Sequence, residues 1–180
     1  MGRMLDCLHE AIVESYIPEN QKYMQESIVV GKTPKEMSCE VLPCRGQEYL
    51  LCQFDKQGLN NLNFPYFNPA VDGLVCMCDY ILFVEEDDRL LVLLIELKHK
   101  DSPLRQVTIN HSFAHFICTR LRSLNESFDK PCVFRKIGVK ERYKPLHTSL
   151  SHVFEFNESG YALLPNPSKM MLRMISKAIA

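Results

Sequence analysis

The chain has 180 residues, 46% of them apolar and 24% charged, with a formal net charge of −1. That is the make-up of one globular domain, large enough to bury about 70% of its unfolded surface without a disulfide or metal staple. It excludes a polybasic binder that works by bulk charge, and no apolar run is long enough for a membrane-spanning helix. Asp6, His9 and Glu10 interrupt any signal-peptide apolar stretch, and Asp6 stands where a myristoylation site needs Ser or Thr. The expectation is a single cytoplasmic domain over residues 1–180, with its core at 5–140 and a C-terminal strand and helix at 150–180.

Leu5, Leu8, Ile12 and Tyr16 fall three or four apart and predict a first helix over 5–16, stopped before Pro18. Gln47 to Phe54 predicts a strand. Asp55 to Gly73 is a long loop rich in Asn, Gly and Pro, with Phe64, Tyr66 and Phe67 placed to plug the domain's surface or line a site. Leu74–Val84 and Leu90–Leu97 are apolar runs around Glu85-Glu86-Asp87-Asp88-Arg89, which predicts a β-hairpin. Both faces of these strands are apolar, so helices should cover both sides of the sheet. Ser102-Pro103 predicts an N-cap and first helical residue, opening a helix to Leu124 that buries Leu104, Val107, Phe113, Ile117, Leu121 and Leu124. Cys132–Val139 and His152–Phe156 predict two more strands. Asn166-Pro167 predicts the start of a last helix, with Met170, Met171, Met174 and Ile175 inward and Lys169, Arg173 and Lys177 outward. This order predicts an α/β fold, a three-layer α/β/α sandwich around a mixed central sheet.

The eight cysteines, Cys7, Cys39, Cys44, Cys52, Cys76, Cys78, Cys118 and Cys132, match no paired zinc spacing and read as buried thiols. Cys76 and Cys78 are expected on one face of an apolar strand. His111 and His115 share a helix face, but Ser112 stands where the zinc-protease motif needs Glu, so they read as helix-surface or partly buried histidines.

Three ionisable residues stand in the apolar hairpin: Asp79, Glu96 and Lys98. Folding it about a turn at Asp87-Asp88 sets Asp79 opposite Glu96. Side-chain alternation then puts Glu96, Lys98 and Asp79 on one face, beside Ile81, Phe83, Val92 and Leu94. Two facing carboxylates in apolar surroundings repel unless a cation neutralises them, and oxygen ligands suit Mg²⁺ or Mn²⁺. The plain alternative is a surface salt bridge at a strand end. Asp72 competes with Asp79, but Asp72-Gly73 reads as a turn.

Asp79, then sixteen residues, then Glu96-Leu97-Lys98 at the end of an apolar strand, resembles the PD-(D/E)xK nuclease superfamily, the restriction-endonuclease-like fold. The resemblance implies that Asp79, Glu96 and the Leu97 carbonyl ligate the metal, and that Lys98 orients the attacking water or stabilises charge on the phosphate. Members of the family often add an acidic residue from the first helix, here Glu10 in preference to Glu14. His9 keeps RNA cleavage open, because cap-snatching viral endonucleases use a helix histidine as a ligand. Gln106 matches part of the Gln-x-x-x-Tyr of the RecB-like branch, with Asn110 in place of Tyr. Cys78 replaces the namesake proline. His99 and Lys100 follow the core motif and are candidate phosphate contacts.

From Lys98 to Leu150 eleven Lys and Arg stand against four Asp and Glu. Arg135, Lys136 and Lys140 belong to this basic half, which reads as a phosphate-binding surface or as a solvated face. The expectation is a Mg²⁺- or Mn²⁺-dependent endonuclease, with DNA favoured over RNA as substrate. A chain this small is expected to act as a homo-oligomer or as the nuclease subunit of a restriction, repair or anti-phage complex. The rivals are an RNA endonuclease and a catalytically silent assembly subunit of the same fold.

Overall fold

The computed structural model describes residues 3–30, 33–55, 70–71, 76–98, 102–140, 154–165 and 169–179. The expected aromatic cluster Phe64, Tyr66 and Phe67, and also Asp72, His99 and Lys100, lie outside the described residues.

Five strands form the central sheet: β3 (Glu48–Cys52), β4 (Tyr80–Glu85), β5 (Leu90–Lys98), β6 (Cys132–Lys140) and β7 (Tyr161–Pro165), in that spatial order. β3, β4 and β5 run antiparallel, whereas β5, β6 and β7 are parallel. The hairpin register pairs Tyr80 with Ile95 and Glu85 with Leu90, as a turn at Asp87-Asp88 requires.

Alternation along β5 sorts its side chains between two cores. Leu90, Val92 and Leu94 pack with helices α1 (Arg3–Ala11) and α2 (Leu104–Leu124). Leu91, Leu93, Ile95 and Leu97 pack against the opposite layer, which departs from the helical cover expected there. A second, three-stranded sheet lies on that side: β1 (Tyr23–Val30), β2 (Thr33–Leu42) and β8 (Lys169–Met171), joined by helix α3 (Leu172–Ile179). The fold is therefore mixed α/β with two sheets. A β-sheet with Met24, Cys39, Val41 and Met170 inward covers apolar strand residues as well as a helix does.

Several elements are shorter or differently made than expected. The first helix ends at Ala11, and Glu14–Tyr16 form a separate 3₁₀ turn. Its N-terminus is held by Glu85, whose carboxylate accepts from Met4 N at 3.0 Å and Leu5 N at 3.2 Å while also pairing with Lys130 at 2.9 Å. At α2 the cap position is Pro103 rather than Ser102, and no side chain caps it. Leu104 and Leu124 are exposed instead of buried, and Phe113 and Ile117 are only partly buried. Residues 154–156 form no strand; the edge strand is β7, entered through a turn in which Asn157 Oδ1 accepts from Ser159 N and Tyr161 N. Lys169–Met171, expected in the last helix, pair with β2 before α3 begins. Cys76–Cys78 precede β4 rather than lying in it, and Cys76 is exposed. Among the described residues, no helix is long and apolar enough to cross a membrane.

Candidate functional site

Asp79, immediately before β4, and Glu96, near the end of β5, extend the hairpin by one pair made through side chains. The Asp79 amide donates to Glu96 Oε2 at 3.1 Å, and the Leu97 amide donates to Asp79 Oδ2 at 2.6 Å. Each carboxylate thus holds the other strand's backbone. Lys98 Nζ lies 2.5 Å from Glu96 Oε1. Glu96 has no exposed surface and Asp79 keeps 7%, so this is no surface salt bridge.

Burial dominates the electrostatics. It pushes the Asp79 carboxyl up to about 8, and the Glu96 and Glu26 charges push the same way against the Leu97 amide and Lys98. Burial also lifts Glu96 to about 7, opposed chiefly by Lys98. Burial alone would pull Lys98 down, yet Glu96, Asp79 and Glu26 together leave it above the usual lysine range. Near neutral pH the two carboxyls therefore retain protons that exposed carboxylates would have lost.

Glu26 is the member that sequence reasoning missed. It lies on β1, in the other sheet, and its own carboxyl is raised by burial and by Asp55 while Lys98 opposes. Tyr80, the residue after Asp79, brings it there: the Tyr80 hydroxyl accepts from Gln25 N and donates to Gln25 O, both at 2.9 Å. The signal in the sequence was slight, a single acidic residue two positions after Met24 in an otherwise unread strand. Glu26→Gln should bring the Asp79 pKa down, which a carboxyl NMR titration of wild type and variant would read directly.

The acidic residues expected from the first helix do not join the group. Glu10 is exposed on α1, where its charge acts on Cys7, and Glu14 lines a shallow surface cleft with His9, Ser15 and Glu19. Neither is among the groups that chiefly shift Asp79, Glu96 or Lys98.

Gln106 and Asn110 are turned to the segment that leads into Asp79. Gln106 Nε2 donates to Met77 O at 3.3 Å, and the buried Asn110 donates to Cys76 O at 3.1 Å and to Gln106 O at 2.9 Å. Both amides thus brace the backbone in front of Asp79.

The basic residues of β6 are divided by the pleat. Lys136 and Lys140 share the face of Glu96 and Lys98, and Lys140 is directly in register with Lys98. Arg135 is on the other face with Val133, Ile137 and Val139, its guanidinium 5.6 Å from the centre of the Phe156 ring. Lys130 is spent on Glu85 at the far, turn end of the hairpin. Lys98, Lys136 and Lys140 thus share one face, while Arg135 and Lys130 are held elsewhere. His111 and His115 lie against Phe134 on the α2 surface, and His111 is held low by burial, Lys136 and His115.

Among the described residues no group of three or more His, Cys, Asp and Glu side chains is arranged to hold a metal ion. The Asp79–Glu96 pair still fits Mg²⁺ or Mn²⁺ by its chemistry, since such ions commonly take one or two carboxylates and fill the remaining positions with water and phosphate oxygens. Comparison with protein-family models, curated proteins and solved structures found no match.

Proposed function

We propose that the protein is a metal-dependent phosphodiesterase of the PD-(D/E)xK type, with the restriction-endonuclease-like fold, cutting nucleic acid and DNA in preference to RNA. One observation carries the reading: two buried carboxylates and a lysine converge at the end of a central hairpin where burial holds both carboxyls above their ordinary range. A core that needed only cohesion would be more stable with apolar side chains of similar size in those places. Within the five-stranded sheet, three antiparallel strands, a helix and a parallel strand follow one another from β3 to β6, which supports the same assignment, and the β1–β2 hairpin stands between α1 and β3.

In this reading Asp79 and Glu96 hold Mg²⁺ or Mn²⁺, with the Leu97 carbonyl as a further oxygen ligand. The ion supplies activation of water near neutral pH and neutralisation of phosphate charge. Lys98, anchored on Glu96, orients the attacking water or balances charge growing on the phosphate. Lys136 and Lys140 are in position to bind the flanking backbone.

The test is cleavage of single- and double-stranded DNA and RNA with each ion, comparing wild type with Lys98→Ala. Cutting that needs the ion and falls at least a hundredfold in the variant supports the proposal. Metal-dependent cutting at the wild-type rate without Lys98 would remove this site from the chemistry.

A second reading is a member of the fold that is silent until a partner completes it. It is favoured by the two-carboxylate donor set and by the commitment of Lys130 and Arg135 to contacts within the chain. The chain would then act as a homo-oligomer or as one subunit of a defence or repair complex. A complete lack of cutting by the isolated protein would favour this reading.

A further inference from the structure

At the far end of α2 a second cluster stands apart from the carboxylates. Cys118 is buried on the helix, and Arg122 follows one turn later on the same face. Both meet Cys132, the first residue of β6, which is half-buried. Cys132 packs against the core cluster that contains Cys118, the two sulfurs are within interaction range, and Arg122 Nη2 donates to Cys132 Sγ at 3.5 Å. The same Arg122 nitrogen donates to Lys130 O at 2.7 Å, which ties the guanidinium to the strand entrance. Cys132 is therefore the sulfur that meets both a second thiol and a cation.

We propose that Cys132 and Cys118 form a peroxide-sensitive dithiol, with Cys132 as the attacking thiolate and Cys118 as the resolving thiol, closing to a disulfide between α2 and β6. Geometry assigns the roles. Cys132 has the access and the direct guanidinium contact that a nucleophilic sulfur needs, whereas Cys118 is buried and feels Arg122 without a hydrogen bond to it. The electrostatics agree: the Cys118 hydrogen bond and Arg122 outweigh burial and bring Cys132 down to about 7, while Cys118 is pushed up.

The chemistry balances in two steps. Cys132 thiolate attacks hydrogen peroxide, the O–O bond breaks, and sulfenic acid and hydroxide form. The Cys118 sulfur then attacks the sulfenic sulfur; the S–O bond breaks and the departing hydroxyl takes the thiol proton as water. Two thiols lose two electrons in all, and one peroxide is reduced to water.

The experiment treats the reduced full chain with hydrogen peroxide at pH 7, alkylates it, and maps the cysteines by mass spectrometry. The expected product is a Cys118–Cys132 disulfide within one chain, with Cys118→Ser instead leaving a Cys132 sulfenic acid that dimedone traps. Arg122→Gln should slow disulfide formation roughly fivefold at pH 7 through its smaller thiolate fraction, and Arg122→Lys should restore most of the rate. Oxidation of the exposed Cys76 while Cys118 and Cys132 remain fully alkylated would overturn the proposal. An unchanged rate in Arg122→Gln would overturn the role given to the guanidinium.

Discussion

Asp79→Asn should make the protein more stable, by about 2 kcal/mol or about 5 °C in Tm at pH 8.5, and by almost nothing at pH 4. The carboxyl is 7% exposed and titrates at about 8 in the folded chain, against about 4 once unfolded. Between those values the native state binds more protons than the unfolded state, so stability falls as pH rises through the window and is lowest above about pH 8. Asparagine has the same shape, keeps an oxygen to accept from the Leu97 amide, and carries no charge to bury. The expected gain is well below the full shift of the carboxyl because part of that shift is repulsion from Glu96 and Glu26, which these neighbours relieve by taking up a proton themselves. Thermal melts of both proteins across pH 4 to 9 would check this, and parallel curves would show that Asp79 is not a buried charge. Added Mn²⁺ should raise the wild-type Tm and leave the variant unmoved, because a ligand stabilises only the state that binds it.

Gly138→Ala should destabilise by about 3 kcal/mol, or about 9 °C in Tm. Gly138 is in register with Glu96 on β5 and with Leu163 on β7. A methyl group there would overlap the Pro103 ring and the Tyr161 hydroxyl and crowd Leu163. Pro103 is the cap position of α2, so the overlap can be relieved only by lifting the helix start off the sheet or by turning Tyr161 out. The absence of a side chain at 138 is thus what lets α2 begin beside the carboxylates. Chemical denaturation at pH 6 would measure the loss, and wild-type stability in the alanine variant would refute this account of the helix approach.

The hairpin and its trio were legible because the relevant information is local. Period-two alternation, a charged turn and the pairing of Phe83 with Val92 are properties of some twenty consecutive residues, and a turn position determines which residues face each other. Helix α2 was legible for a similar reason, since Val107 and Leu121 are buried as expected and Phe113 and Ile117 pack partly buried against the same core, although the fully buried Ala114 and Cys118 were not foreseen. Its ends were not: Leu104 and Leu124 are as apolar as the buried residues but face outward.

The second sheet stayed hidden. Among the described side chains of β1 the one buried in the core is Met24, and Gln25, Glu26 and Ser27 beside it carry no apolar alternation. Such a strand exists because β2 pairs with it and Tyr80 bonds to its backbone, contacts that join residues far apart in the chain. For the same reason Glu26 could not be found as the third acidic group near the site, and Glu10 was named in its place. Distribution of charge was the other failure: eleven basic residues in one half of the chain suggested a surface, but alternation along β6 turns Arg135 away from Lys136. By itself the sequence determined the α/β class, the hairpin register and the convergence of Asp79, Glu96 and Lys98, all consequences of short-range periodicity. Only the tertiary structure decided what covers the second face, which carboxylate approaches the pair and which lysines share its face, because those depend on packing between segments whose order along the chain does not predict their distance in space.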